Sequence, residues 1–492
     1  MKKQSFLYGA AVLAAASILC KIMSAALKIP LDRFFLHEEG IAVYQSAYSI
    51  YNVFLAICVT GIPIALSSMI ASSKEEAAAS LAKSTFALVS LFSFVCAICL
   101  FVFAQPLARL LSGGGSPVAA TSLKVLSPAL MVMGVISSRR GYFQGKGMMT
   151  PSAMSQLAES AAKVFLGIGI CSLIYKTGIR YGSAGAIAGV TIGAFASAAI
   201  LEISFRKSKP LKGKTDVKMA LSVLRLSVPM TLGAFAFTAV MLTDTLTVPG
   251  LLAKGGFEEA ERLKLFGYLT RANTVYNLPA TIITAFTASA VPAIAAVKSD
   301  HNKLSENSVR AIKLVFLASL PCGLGMMLFS GEILSLLYKT AYHWQLLALC
   351  GGMVIIMPLV QTTTAMLQTL GRIWQPIAVS VCAVAVKVVL NYVLVENIGV
   401  EGAPLATIMA FVPAAVINCI MLSGKVKLRG AFSVTVKLSL CALIACGGAR
   451  LIYSVGSGPL FFLGAMTFAA VAYIVLVVVI KCITKDEIKI KG

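Results

Sequence analysis

Charge is scarce in this chain. Only 12% of its 492 residues are charged, while 58% are hydrophobic. Soluble globular domains carry about 25% charged residues, and burying a core does not halve that share. Acid is scarcer than base, with 19 Asp and Glu against 42 Lys and Arg. Three scattered histidines (His37, His301, His343) leave no histidine-built metal cluster. Paired carboxylates, HExxH, a nucleotide-binding glycine loop and a nucleophile elbow are all missing. No catalytic or ATP-hydrolysing centre is therefore legible. The chain is expected not to be an enzyme and to need no cofactor. The polar stretches reach only about 15–20 residues, too short for a soluble domain.

What is present is apolar sequence in long runs. A hydrocarbon core of about 30 Å takes roughly 20 apolar residues per helix. Fourteen such runs lie near 6–28, 43–71, 83–105, 118–140, 151–175, 181–204, 220–247, 265–296, 308–330, 345–370, 376–396, 402–423, 432–453 and 458–481. The expectation is an all-α integral membrane protein of about 14 transmembrane helices. The alternating short strands of a membrane β-barrel do not occur. Most of the 12 cysteines fall inside the runs, including Cys96 and Cys99. They read as small hydrophobes rather than redox or metal thiolates. Lys2 and Lys3 open the first run like a signal peptide, but the run is too long and no A-x-A site closes it, so it reads as the first span.

The net charge of +23 sits in short loops. It reads as topology signal and contact with anionic lipid, not as a nucleic-acid surface. Placing the N-terminus inside gathers Arg139, Arg140, Lys146, the loop of Arg206, Lys207, Lys209, Lys212, Lys214 and Lys218, and Lys425, Lys427 and Arg429 on the cytosolic side. The tail lysines Lys481, Lys485, Lys489 and Lys491 join them. A multi-pass protein of the cytoplasmic membrane with both termini cytosolic follows.

An internal repeat is visible. Tyr51-Asn52 recurs as Tyr276-Asn277 and Pro151 as Pro376, each 225 residues on, and Lys163 as Lys387, 224 on. Six helices separate the copies, so the halves share one orientation, a parallel repeat about the membrane normal. The expected organisation is an N-lobe of helices one to six (1–204), a basic cytosolic linker (205–219), a C-lobe of helices seven to twelve (220–424), and helices thirteen and fourteen with the tail (425–492).

Ionisable groups inside spans cost about 2.5–3.5 kcal/mol each on insertion scales, which makes each a functional candidate. Lys21 and Lys28 stand seven residues apart, on one face of the first span. Two like charges on one face suggest an anionic ligand or a wet cavity, with snorkelling as the bland alternative for Lys28. Arg271 follows Thr270 and precedes Asn273 and Thr274; its five donors suit phosphate, though an interfacial arginine is also ordinary. Span five carries a polar stripe of Ser152, Ser155, Gln156, Glu159, Ser160 and Lys163. Glu159 and Lys163, at i and i+4, are expected to pair, structurally or as cavity lining. Lys387, with Asn391 one turn on, is the counterpart in the second half. Asp244, between Thr243 and Thr245, could couple a cation, pair with Arg271, or be an outer-surface carboxylate. Tyr44, Tyr48, Tyr51 and Asn52 share a face that could stack on sugars or anchor the interface. Gln361, Thr362, Thr363, Thr364 and Gln368 suggest interhelical hydrogen bonds.

The stretch from Lys21 to Ala71, with its paired lysines, EEG at 38–40, YxxAYxIYN (reaching Asn52) and GIP at 61–63, resembles the opening of polysaccharide-type transporters. These belong to the multidrug/oligosaccharidyl-lipid/polysaccharide superfamily and include the stage V sporulation protein B and MurJ-like lipid II flippases. Residues 139–167 and 276–296 are similar to that family too. The resemblance implies two six-helix lobes around a central cavity, with two extra C-terminal helices. It implies a transporter flipping an undecaprenyl-pyrophosphate-linked sugar precursor, lipid II or a lipid-linked oligosaccharide, by alternating access. Lys21 and Lys28 match the family's basic helix-one positions, with lysine where arginine is common. With the polar residues read above, the candidate substrate site includes Lys21, Lys28, Arg271, Tyr44, Tyr48, Asn52 and Asn273, with Glu159, Lys163, Asp244 and Lys387 lining the cavity or coupling transport. The expected partners are the polyprenyl-pyrophosphate-linked saccharide, membrane lipids and wall-synthesis enzymes. Two other readings stay open: a cation-coupled multidrug efflux antiporter of the toxin-extrusion group, and a non-transporting scaffold for wall-synthesis enzymes.

Overall fold

The structure is a computed structural model that describes residues 6–208, 211, 213–295, 297, 300–428, 430–456, 458–480 and 482. Lys2, Lys3, Lys209, Lys212, Arg429 and the tail lysines from Lys481 onward lie outside the described residues.

Every one of the fourteen apolar runs falls on helix, and no strand occurs among the described residues. The first helix, α1 (Phe6–Leu31), carries Pro30 in its last turn and passes into a π-helical turn at Asp32–Leu36. α2 (His37–Phe54) runs through a second π-helical turn (Leu55–Gly61) into α3 (Ile62–Ala71). Then come α4 (Glu75–Val102), α5 (Ala104–Leu111), α6 (Ala120–Met131), α7 (Met133–Gly145), α8 (Thr150–Ile174) and α9 (Ile179–Lys207). α10 (Val217–Lys254), α11 (Glu259–Ala295), α12 (His301–Leu328), α13 (Ser330–Tyr338) and α14 (Trp344–Thr369) follow. α15 (Trp374–Ile398), α16 (Gly402–Ser423), α17 (Ala431–Val455) and α18 (Pro459–Val479) complete the described helices. Proline inside α10, α12, α14 and α16 is tolerated because neighbouring helices can satisfy the freed carbonyls.

Among the described residues, ten helical stretches are long and apolar enough to cross a membrane, or eleven when the bent pair α6 and α7, at 41°, counts as one span. Two of the ten, Ala15–Ala71 with 57 residues and Trp374–Ser423 with 50, each cover two of the expected spans. The expected figure of fourteen therefore meets ten or eleven separable stretches: four expected runs are joined in pairs, and the run at 265–296, on α11, is not among the stretches.

The chain divides into two compact units. One runs through Thr270 and adds Asn391–Val400; the other comprises Arg271–Leu390 and the residues from Glu401 onward. Within the first, α8 lies along α9, α1 lies on α8, and α7 packs on α3 and α4. The α8–α9 contact depends on Gly189: a Cβ there would overlap the Gly167 backbone and the Lys163 carbonyl. Small residues let backbones approach where lipid supplies no hydrophobic drive. The core of this unit holds Leu27, Tyr44, Tyr51, Leu66 and Phe143. In the second unit α14 packs between α12 and α16, and α17 packs on α18 and α12. Large apolar side chains on both units stay uncovered, among them Leu173 at 82% exposure and Leu460 at 83%. Water-soluble surfaces do not show so many; a lipid-facing surface does.

Pro151 and Pro376 stand in the first turns of α8 and α15, Tyr51 and Tyr276 are buried, and Lys163 and Lys387 are buried.

A tyrosine flanked by two lysines

Lys28 is half-buried near the end of α1, and its side chain turns toward α2. Its Nζ donates to Gln45 Oε1 at 2.7 Å and stands 5.9 Å from the Tyr48 ring centroid. Gln45 Nε2 donates to Ser49 Oγ at 3.0 Å, and Thr245 Oγ1 of α10 lies 3.0 Å from that same hydroxyl. A polar chain thus runs from α1 across α2 to α10. Helical spacing creates it, since Gln45 and Ser49 are one turn apart on the face that meets α10. Lys21, two turns before Lys28, is exposed. The two lysines expected to act as a pair have different surroundings: Lys28 has a partner on α2, whereas Lys21 is exposed.

Lys163 enters from α8. Its Nζ donates to Tyr48 Oη at 3.0 Å and lies 4.8 Å from the same ring centroid. Tyr44 stacks on Tyr48 at 5.7 Å, and Tyr51 lies 5.9 Å from it. The Tyr51 hydroxyl is buried without a hydrogen-bond partner in the structure. Asn52, on the neighbouring face, is half-buried. Among the described residues, neither Lys28 nor Lys163 has a carboxylate within 4.0 Å.

The Glu159–Lys163 pair expected from i, i+4 spacing is not the one that forms. Glu159 Oε2 instead receives Arg140 Nη2 at 3.0 Å, and Arg140 also donates to Ser155 Oγ at 3.1 Å and Ser197 Oγ at 3.0 Å. The arginine fork satisfies three acceptors on two helices, which a lysine point charge one turn away does not match. Arg139 pairs with Glu202 at 2.9 Å and stacks on Phe205 at 3.6 Å. Both arginines are buried within α7, so they are not loop charges as the sequence reading took them. Sequence reasoning missed Arg140, Gln45 and Ser49. The signal for Arg140 was there: the turn before Pro151 folds α7 back along α8, bringing 140 opposite 159.

The other expected site residues lie elsewhere. Asp244 is buried on α10 and accepts from Asn391 Nδ2 at 3.0 Å, so it is not an outer-surface carboxylate. Lys387 is fully buried on α15; its Nζ donates to Thr407 Oγ1 at 2.7 Å and to the Ala403 carbonyl at 3.3 Å. Arg271 is buried with its guanidinium 5.0 Å from the Tyr338 ring centroid, and Asn273 Oδ1 lies 3.9 Å from Cys350 Sγ. The interhelical bonds expected around span ten are present: Asn418 Nδ2 donates to Thr364 Oγ1 at 3.1 Å, and Thr287 meets Thr362 at 2.5 Å. A cavity of about 400 Å³ against the first π turn, lined by Phe35, His37, Glu38, Glu39 and Tyr175, includes none of the predicted site residues.

The chain is 25% identical to the stage V sporulation protein B of Bacillus subtilis (strain 168), over 99% of this chain and 98% of the relative. It is 23% identical to the lipid II flippase MurJ of the same organism, over 85% and 82%. Its fold is that of a lipid II flippase MurJ in an inward closed conformation, at a TM-score of 0.74 and 15% identity, with 97% of this chain and 99% of that one covered. An inward-facing multidrug resistance MATE family transporter also matches, at 0.71 and 17%, over 84% and 96%. The family model described as "Polysaccharide biosynthesis protein" matches residues 6–298, more than half of the chain. With its helix-only fold and its buried cationic tyrosine cluster, this chain belongs to the polysaccharide biosynthesis protein family.

Proposed function

We propose that this protein flips a polyprenyl-pyrophosphate-linked sugar precursor across the cytoplasmic membrane by alternating access, with the head group held by lysines on α1 and the lipid tail left in the bilayer. One observation carries the reading. Lys28 and Lys163 present two ammonium groups to a single tyrosine, among neutral hydroxyl and amide partners. Positive charge in a membrane bundle is costly unless an anion offsets it. Lys21, exposed further along α1, extends the same charge toward an arriving head group. The relative named as a lipid II flippase supports the substrate class. In this reading helices one to six and seven to twelve are the rocking halves, both termini are cytosolic, and the chain transports rather than catalyses. Wall-synthesis enzymes use the delivered precursor.

The antiporter reading fits less well. A cationic drug needs free carboxylate, and Glu159 is held by Arg140. The test is translocation of a fluorescent lipid-linked disaccharide in vesicles holding the purified protein, together with growth of flippase-depleted cells. Translocation by the native chain and its loss in the Lys21→Ala/Lys28→Ala variant are expected. Normal growth on the double variant, or drug export without lipid translocation, refutes the proposal.

A further inference from the structure

We propose that Lys163 of α8 is the second arm of a diphosphate clamp, so that Lys28 and Lys163 each take one phosphoryl group and together select a diphosphate-linked lipid over a monophosphate-linked one. This deepens the flippase reading and rests on it. Lys28 reaches Tyr48 from α1 and Lys163 reaches it from α8, both within 6 Å of the one ring centroid, at 5.9 and 4.8 Å. A phosphate monoester carries about −1.5 to −2 at pH 7, so charge alone does not discriminate; the second phosphoryl group of a diphosphate adds acceptor oxygens for the second arm.

The present partners are exchangeable. Lys163 spends one of three donors on Tyr48 Oη, and Lys28 one on Gln45. Neither bond is to a charge, so phosphoryl oxygens can replace or supplement both acceptors with shorter, charge-assisted bonds. Tyr48, released by Lys163, turns from acceptor to donor. The buried Tyr51 hydroxyl, unpartnered in the structure, is one further donor beside it. Glu159 does not compete for Lys163, because Arg140 holds it at 3.0 Å. The sequence reading placed Lys163 in a pair with Glu159, structural or lining the cavity, and not among the substrate-binding residues.

Binding of geranylgeranyl diphosphate and geranylgeranyl monophosphate to the full chain in lipid nanodiscs tests this. The native chain is expected to prefer the diphosphate by about tenfold, the factor that one added charge-assisted contact supplies. Lys163→Gln should weaken the diphosphate alone and bring the two lipids within about threefold. Lys28→Gln should weaken both. Lys163→Arg, which keeps the charge, should keep the preference and guards against a variant that merely misfolds. An unchanged preference in folded Lys163→Gln, or equal loss of both lipids, overturns the clamp while leaving the flippase reading intact. A native chain that binds neither lipid overturns both.

Discussion

Arg140 and Glu159, nineteen residues apart across the α7–α8 turn, meet at 3.0 Å with side chains only 7% and 21% exposed. Removing one partner leaves a largely buried charge. Arg140→Ala should therefore lower stability by about 3 kcal/mol, since Ser155 and Ser197 lose their donor as well, and Glu159→Gln by less, since the amide oxygen can still accept from Arg140. The double variant Arg140→Met/Glu159→Met should recover most of that loss. Thermal unfolding in detergent reads all three. A strictly additive double variant would show that the two residues are not coupled.

Gly189 sets how closely α8 and α9 approach. Gly189→Leu should cut the folded yield sharply, because its side chain would enter the Gly167 backbone; overpacking of this kind costs about 1–3 kcal/mol or more. At Gly169, on the same α8, an added Cβ would meet nothing within 4 Å. Gly169→Ala should be neutral or stabilising by about 0.5–1 kcal/mol through helix propensity. Size-exclusion profiles and melting temperatures separate the two outcomes.

Lys387 has no exposed surface, and its Nζ bonds to Thr407 Oγ1 at 2.7 Å. Thr407→Val keeps the shape and removes the acceptor, so it should cost about 1.5–3 kcal/mol, the range for a hydrogen bond to a charged group. Thr407→Ser should restore it. Valine matching the native melting temperature would mean that the hydroxyl contributes nothing to holding the ammonium.

Asp300 lies outside the spans and caps α12, accepting from the Asn302 and Lys303 backbone N–H groups at 3.1 and 3.2 Å. The Lys303 backbone bond, with the other donors, holds its carboxyl below the usual range. A depressed folded-state value stabilises the cap above the ordinary carboxylate pKa of about 3.9, and that contribution is lost as pH falls through the lowered value. The protection of first-turn amides of α12, measured relative to their intrinsic exchange rate at each pH, should therefore fall on acidification below about pH 4. Asp300→Asn should retain a cap and abolish that pH dependence.

Composition and run length were enough to establish a helical membrane protein, because about 20 apolar residues have no other economical way to satisfy their backbone in lipid. They also marked the right residue types: Lys28, Tyr48 and Lys163 all stood out as polar groups in apolar company. The separable span count was less legible, since π turns and short helical links join runs that hydropathy alone divides.

Partner choice was decided by the tertiary structure. Spacing along one helix says which residues share a face, but not which neighbouring helix meets that face. Glu159 and Lys163 are ideally spaced, yet an arginine from α7 and a tyrosine from α2 claim them separately. Arg139 and Arg140 look like loop charges until the chain folds back and buries them against Glu202 and Glu159. Hydropathy is a local property of the chain, whereas the pairing of a buried charge depends on the geometry of every acceptor within reach, and only the packed bundle supplies that.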